Sequence, residues 1–346
     1  MRRTSRTREQ EGNEMLTDSF LRKHTYLRVS VTDRCNLRCR YCMPPEGVEL
    51  VPHDRVLRNE EFITLIGIFQ RMGVTKIRFT GGEPLVRKGF MDIVSGTHKQ
   101  YPDTVLCITT NGILLDEFFT DLHRMGMKKF NISLDTMNRD RFLELTNRDY
   151  FDRVLRNIDM VMGNKDLDVK VNAVLLKDTL SEIDDFLDYF SGRNMTMRFI
   201  ERMPVTEEDM KNEFIPSDDL IEVLSAKGKL VRKETERADV SQRFDLTYKG
   251  KLMKIGIIPP VTHKFCSDCN RLRLTSEGYM LTCLHAVNSY NLRDILREGK
   301  PVDDIMSLIE TGVKEKWNGH KIECTSDNKG CRSLTAGVKS MSSIGG

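Results

Sequence analysis

From about Tyr26 to Met203 the chain alternates between two hydrophobic rhythms. Short β-rich runs occur at 27–31, 76–80, 105–110, 129–134, 169–176 and 195–200. Helical patterns lie between them, near 58–72, 86–100, 114–125, 151–163 and 181–191. In the first helix Phe62, Leu65, Ile66 and Phe69 form the apolar face. Such alternation predicts parallel strands joined by right-handed helical crossovers. A complete barrel has eight units in ~250 residues. Six units in about 180 residues predict an α/β fold with a partial (β/α)6 TIM-like barrel. A doubly wound open sheet is also compatible with the rhythm.

Within the strands the polarity alternates as well. Val29 and Val31 oppose Arg28 and Ser30; Ile77 and Phe79 oppose Lys76, Arg78 and Thr80. Likewise Val169, Val171 and Ala173 oppose Lys170 and Asn172, and Met197 and Phe199 oppose Thr196 and Arg198. Side chains along a strand change face with period two. The polar faces thus gather Arg28, Lys76, Arg78, Lys170 and Arg198. Burying so many unpaired cations is prohibitive, so a wet lumen that receives an anionic ligand is expected. A solvated sheet face is the plainer reading, but parallel sheets are normally covered on both sides.

After Met203 the rhythm breaks. A loop-like segment leads to a helix at 217–226, with Ser217 as its expected N-cap. Short β-rich runs follow at 242–248, 252–257 and 272–275, with Lys249-Gly250 as a turn, then helices at about 291–298 and 301–316. This suggests a disordered extension at 1–14, a barrel at 15–214, a smaller C-terminal α+β domain at 215–340 closing the barrel mouth, and a tail at 341–346.

Composition narrows the function. With 54 basic and 51 acidic residues the net charge is +3, without the basic excess of a dedicated nucleic-acid binder. No run approaches the ~20 apolar residues that span a bilayer, and the charged N-terminus lacks a signal peptide's apolar core. Nine cysteines in such a chain point to a reducing, cytoplasmic setting and metal ligation rather than disulfides.

Six of those cysteines fall into two groups. Cys35, Cys39 and Cys42 are spaced C-x3-C-x2-C. Iron–sulfur clusters usually take four thiolates, so three suggest a cluster with one iron left open for a substrate or cofactor. Zinc would favour paired C-x2-C units or a nearby histidine, and neither His24 nor His53 has that spacing. Cys266, Cys269 and Cys283 form C-x2-C-x13-C. Here zinc and a cluster are evenly matched, since His263 or His285 could complete a Cys3His site. Arg271 and Arg273 beside this group could bind a phosphate bidentately. Cys107, Cys324 and Cys331 lack ligand-like spacing, and Cys107 reads as a small core residue.

Gly81-Gly82-Glu83-Pro84 ends the second strand. Alone it is a turn, but ligand sites in parallel barrels lie on loops that follow the strands. Cys35–Cys42, Gly81–Pro84, Thr109–Gly112 and Ser133–Asp135 all fall on that rim.

The C-x3-C-x2-C loop, with Tyr41 before its third cysteine, and the GGEP turn resemble radical S-adenosylmethionine (SAM) enzymes. The stretches 26–35, 80–87 and 266–275 and the Gly345-Gly346 ending are similar to one family among them, the GTP 3′,8-cyclases of molybdenum-cofactor biosynthesis. The resemblance implies that Cys35, Cys39 and Cys42 hold a [4Fe–4S] cluster whose open iron chelates SAM. Cys266, Cys269 and Cys283 would hold a second [4Fe–4S] cluster that binds the guanine of GTP. Tyr41, Gly82, Ser133 and Met203 would contact SAM. Arg28, Arg78, Thr109, Lys170, Arg271, Leu272 and Arg273 would contact GTP. One electron would cleave SAM to a 5′-deoxyadenosyl radical, which takes the 3′ hydrogen of GTP before C3′ joins guanine C8. Gly345 and Gly346 would assist that step. Implied partners are a low-potential electron donor, the cyclic pyranopterin monophosphate synthase that takes the product, and a second copy in a homodimer, with no nucleic acid or membrane. Gly89, Pro45 and Trp317 depart from the family pattern but touch no proposed ligand. Two other readings are a peptide-modifying radical SAM enzyme with an auxiliary cluster and a non-catalytic zinc-stabilised module.

Overall fold

The computed structural model describes residues 15–42, 50–203, 214–235, 239–324 and 331–333. Its first part contains β1 (Tyr26–Ser30), α1 (Asn59–Arg71), β2 (Lys76–Thr80), α2 (Phe90–Gln100), β3 (Val105–Thr110), α3 (Leu115–Arg124) and β4 (Lys129–Ser133). It continues through α4 (Arg139–Thr146), α5 (Phe151–Met162), β5 (Asp168–Leu175), α6 (Ile183–Phe190) and β6 (Thr196–Glu201). The six strands lie side by side in chain order, each parallel to the next. A doubly wound sheet would reverse its order partway. Unreversed addition is barrel order, as the alternation of units led one to expect.

The second part contains α7 (Ser217–Lys227), β7 (Lys229–Lys233), β8 (Gln242–Tyr248), β9 (Lys251–Ile258), β10 (Arg271–Leu274), β11 (Tyr279–Leu281) and β12 (Tyr290–Asn291). Then come α8 (Leu292–Arg297), α9 (Val302–Lys314) and a small ladder of β13 (Ile322–Cys324) with β14 (Cys331–Ser333). These strands continue the barrel sheet. β10 pairs parallel with β1, and β9 pairs parallel with β6. Eight strands are therefore parallel neighbours, flanked by antiparallel strands that end at β12 and β7.

One face of each barrel strand packs on helices. Leu27, Val29, Ile77, Phe79, Phe130, Ile132, Val171, Met197 and Phe199 are fully buried, together with Phe62, Phe69, Phe90 and Phe186 from the helices. Cys107 is buried too. The β8–β9 hairpin turns at Lys249 and Gly250, both at positive φ (47° and 76°), the geometry of a two-residue turn that matches strand twist.

Several local expectations change. The sequence rhythm indicates neither helix α4 nor strands β7, β11, β12, β13 and β14. Ser217 is not an N-cap but the first residue of α7, after Pro216. Its amide donates to buried Glu201 at 2.8 Å, and its hydroxyl pairs with Thr262 Oγ1. Among the described residues no helix is long and apolar enough to cross a membrane.

Candidate functional site

The first cysteine group leaves the C-terminal end of β1. Its loop is fastened from two sides. Arg38 and Arg40 donate their amides to the Thr146 and Leu145 carbonyls at the end of α4 (2.9 and 3.0 Å). Asn147, held in the left-handed region, donates Nδ2 to the Arg38 carbonyl at 2.9 Å. On the other side, Gly82 donates its amide to the Thr32 carbonyl and Glu83 to the Arg34 carbonyl, each at 2.8 Å. A Cβ on Gly82 would stand 2.4 Å from the Arg34 oxygen, so only glycine permits this approach.

Cys35, Cys39 and Cys42 are half-buried and free of disulfides. Burial pushes the Cys35 thiol up to about 11 and raises Cys39 well above its usual value. Cys35 Sγ nevertheless accepts from the Leu37 amide (3.4 Å) and Asn111 Nδ2 (3.8 Å). Buried sulfurs that resist ionisation alone, yet already face N–H donors, suit thiolates stabilised by bound metal. Beside them, burial raises Glu83 to about 7. It accepts from Thr110 Oγ1 (2.8 Å), the Asn111 amide (2.7 Å) and the Leu85 amide (3.2 Å). Tyr41 Oη donates to Asp135 Oδ2 at 2.5 Å, and Asp135 Oδ1 accepts the Val174 amide. The rim thus brings together Cys35, Tyr41, Glu83, Asn111 and Asp135.

The second cysteine group lies toward the opposite end of the same strand pair. β10 runs parallel to β1, so Cys266 and Cys269 precede its N-terminal end whereas Cys35 follows the C-terminal end of β1. A five-residue strand is about 17 Å long, which sets the scale of the lumen between them. Cys269 differs from the first group. Burial would raise it, but the charges of Arg271 and Lys316 prevail and hold it at about 6. Its thiolate form is therefore ready for metal. His263 Nε2 faces Asp218 at 3.0 Å; His285 is buried and stacks obliquely on His320. Among the described residues no three His, Cys, Asp or Glu side chains form a single-ion site.

Between the two groups runs a row of cations. In register, Arg273 of β10 lies opposite Arg28 of β1, and Arg28 opposite Arg78 of β2. Burial and neighbouring cations lower Arg28 to about 10 and Arg273 to about 9. Arg78 is anchored: its Nε donates to Tyr26 Oη (2.5 Å) and its Nη1 to the Ile108 carbonyl (2.7 Å) and, more weakly, to Thr109 Oγ1 (3.4 Å). Arg198 donates Nε to Asn172 Oδ1 at 3.0 Å, while its buried Nη2 has no hydrogen-bond partner among the described residues. Lys170 is paired with Asp168. The Arg271 guanidinium lies 5.0 Å from the Phe265 ring centre. Leu272, between the arginines, is buried in the core, so only its backbone can reach a lumen ligand. Ser133 ends β4 opposite Asn172. Met203 packs on Phe214, Val261 and Ile322. Gly345 and Gly346 lie outside the described residues, as do residues 1–14 and Pro45.

Asn111, Asp135 and Glu83 stood in recognised rim turns, but their roles were not legible there. Lys316 and Asn147 carried no sequence signal at all.

Two family models match the chain: "Radical SAM superfamily" over residues 29–190 and "Molybdenum Cofactor Synthesis C" over 195–322. The chain is 39% identical over 313 residues to the GTP 3′,8-cyclase of Clostridium botulinum, covering 89% of this chain and 95% of that protein. It is 40% identical over 310 residues to molybdenum cofactor biosynthesis protein 1 of Dictyostelium discoideum, covering 88% of this chain and 49% of that protein. For the Caenorhabditis elegans protein moc-5 the identity is 36%, with 96% of this chain and 57% of the relative covered. The chain thus spans about half the length of these two eukaryotic relatives. Among solved structures, Streptococcus suis SuiB bound to S-adenosylmethionine superposes with a TM-score of 0.57 at 15% identity, covering 83% of this chain and 68% of that one; this likeness concerns the fold alone. The cysteine loops, the parallel barrel between them and these matches lead to one conclusion: the chain belongs to the radical SAM superfamily and, within it, to the family of the GTP 3′,8-cyclases.

Proposed function

We propose that this chain converts GTP to (8S)-3′,8-cyclo-7,8-dihydroguanosine 5′-triphosphate, an early step of molybdenum-cofactor synthesis. The observation that carries this reading is the Arg273–Arg28–Arg78 row between the two cysteine groups. Adjacent guanidiniums facing one lumen make it strongly positive, and a triphosphate offers several oxygens to such bidentate donors. A peptide substrate gives no reason for that row, and a zinc module leaves the Cys35–Cys42 loop without a purpose.

The residues fit two clusters. Cys35, Cys39 and Cys42 would hold one, and Cys266, Cys269 and Cys283 the other. A bound [4Fe–4S] cluster with SAM supplies the one-electron cleavage chemistry. The chain contributes position and shelter. Gly82 and Glu83 hold the first cysteine loop against the rim, with Tyr41 and Ser133 beside SAM. Arg28, Arg78, Arg273, Thr109 and Lys170 orient GTP in the lumen, with Arg271 and the Leu272 backbone at its second-cluster end. Met203 would border the SAM site from the β6 end, and Gly345-Gly346 would reach in from the tail. A low-potential electron donor, transfer of product to cyclic pyranopterin monophosphate synthase, a homodimer and a cytoplasmic location belong to the same proposal.

The test is direct. Protein reconstituted without air, given SAM, reductant and GTP, should form 5′-deoxyadenosine together with a cyclised GTP product. SAM cleavage indifferent to GTP, with no such product, would refute the substrate assignment.

A further inference from the structure

Lys316 follows the end of α9, and its side chain is buried, with 4% of the residue exposed. The backbone around it is fixed. Its amide donates to the Val313 carbonyl. The next two carbonyls, of Trp317 and Asn318, accept the Arg22 guanidinium at 2.6 and 2.8 Å. The same guanidinium donates to the Cys266 carbonyl at 2.7 Å, and Asp18 pairs with Arg22 at 2.6 Å. The turn after α9 is therefore tied to the second cysteine loop. Within it the Lys316 ammonium donates to the Arg271 carbonyl at 2.7 Å and lies 3.6 Å from Cys269 Sγ. Among the described residues no carboxylate is salt-bridged to it; the side chains that favour its charge are those of Cys269 and Cys283, while Arg22 and Arg271 oppose it.

A buried ammonium without a carboxylate is costly unless another anion faces it. A [4Fe–4S] cluster held by three thiolates is such an anion, and each added electron makes it more negative. Net charge and hydrogen bonds to sulfur are the protein's levers on cluster potential.

We propose that Lys316 is a positioning residue of the second cluster, whose N–H···S contact with Cys269 raises that cluster's reduction potential. This rests on Cys266, Cys269 and Cys283 holding a cluster. The step concerned is uptake of one electron from an added reductant by the cluster, with no bond made or broken. Lys316 stabilises the reduced form.

The test uses the full chain, reconstituted without air, with Lys316→Met and Lys316→Arg beside the wild type. Potentiometric titration followed by electron paramagnetic resonance reads each cluster, and a Cys35/Cys39/Cys42→Ala variant identifies the second cluster's signal. Lys316→Met should keep its iron and move the second cluster's reduction equilibrium at least tenfold toward the oxidised form, about 59 mV more negative for one electron. The first cluster should not move, and Lys316→Arg should retain most of the wild-type value. An unmoved second potential overturns the proposal. So does equal loss of second-cluster iron from both variants, which would make Lys316 a fastener only. A wild type that binds only about four irons would overturn the two-cluster reading itself, whereas a two-cluster wild type with an unmoved variant sinks the Lys316 role alone.

Discussion

Arg28 on β1 and Arg273 on β10 are paired in register, although 245 positions separate them in the chain. Neighbouring strands lie about 4.8 Å apart. Burial and neighbouring cations lower both groups, Arg28 to about 10 and Arg273 to about 9. An anion reaching both relieves this, so GTP should stabilise the folded chain against heat; a ligand at 100 times its Kd adds about 2.7 kcal/mol. Arg273→Ala removes one charge-assisted contact worth about 2 kcal/mol, roughly a thirtyfold loss of GTP affinity. Calorimetric titration with GTP checks this. Intact GTP affinity with loss of second-cluster iron would show that Arg273 serves the cysteine loop instead.

The two cysteine groups stand near opposite ends of the β1–β10 pair, so their losses should separate. Cys42→Ala should remove about four of roughly eight irons and abolish SAM cleavage. Cys283→Ala should remove the other four, spare some SAM cleavage and abolish the GTP-derived product. Iron analysis beside 5′-deoxyadenosine measurement decides it. If either substitution empties both groups, the loops fold as one unit.

Glu83 makes stability depend on pH in an unusual direction. Burial raises its folded pKa from 4.5 to about 7. Between those values the unfolded chain has lost the proton and the folded one keeps it. The folded state binds more protons, so this group's contribution falls as pH rises through that window, by up to about 3 kcal/mol. Denaturant unfolding of the metal-free chain at pH 5 and pH 8 should show a steeper decline in wild type than in Glu83→Gln. Equal declines would mean that Glu83 is ionised in the folded protein at neutral pH.

The barrel was legible because each strand carries an apolar face of period two and each helix a period near 3.6. Leu27 and Val29, or Ile77 and Phe79, announce the core side, and Arg28 and Arg78 the lumen side. What escaped depended on partners remote in sequence. Nothing near Lys316 indicates Cys269, which lies 47 positions away. Ser217 resembles a cap, but its hydroxyl turns to Thr262 and Pro216 takes the N-cap position. The segment 139–146 has only two buried positions, Phe142 and Thr146, too few for a clear helical period. α4 leaves no clear pattern in the sequence for that reason, although it seats the first cysteine loop.

That seating can be tested at Asn147. It ends α4 at φ 54°, ψ 27°, donates its amide to the Leu143 carbonyl at 2.8 Å, and sends Nδ2 to the Arg38 carbonyl. Asparagine tolerates the left-handed region, whereas alanine there costs roughly 1–2 kcal/mol. Asn147→Gly keeps the backbone free to adopt that conformation and removes only the side-chain bond; Asn147→Ala adds the strain. Both variants should lose first-cluster iron faster to a chelator and keep second-cluster iron at the wild-type rate. Only Asn147→Ala should also lower the Tm clearly. Wild-type iron retention in both would mean that the Arg38 and Arg40 amide bonds to α4 suffice, and that the Asn147 side chain does not hold the loop.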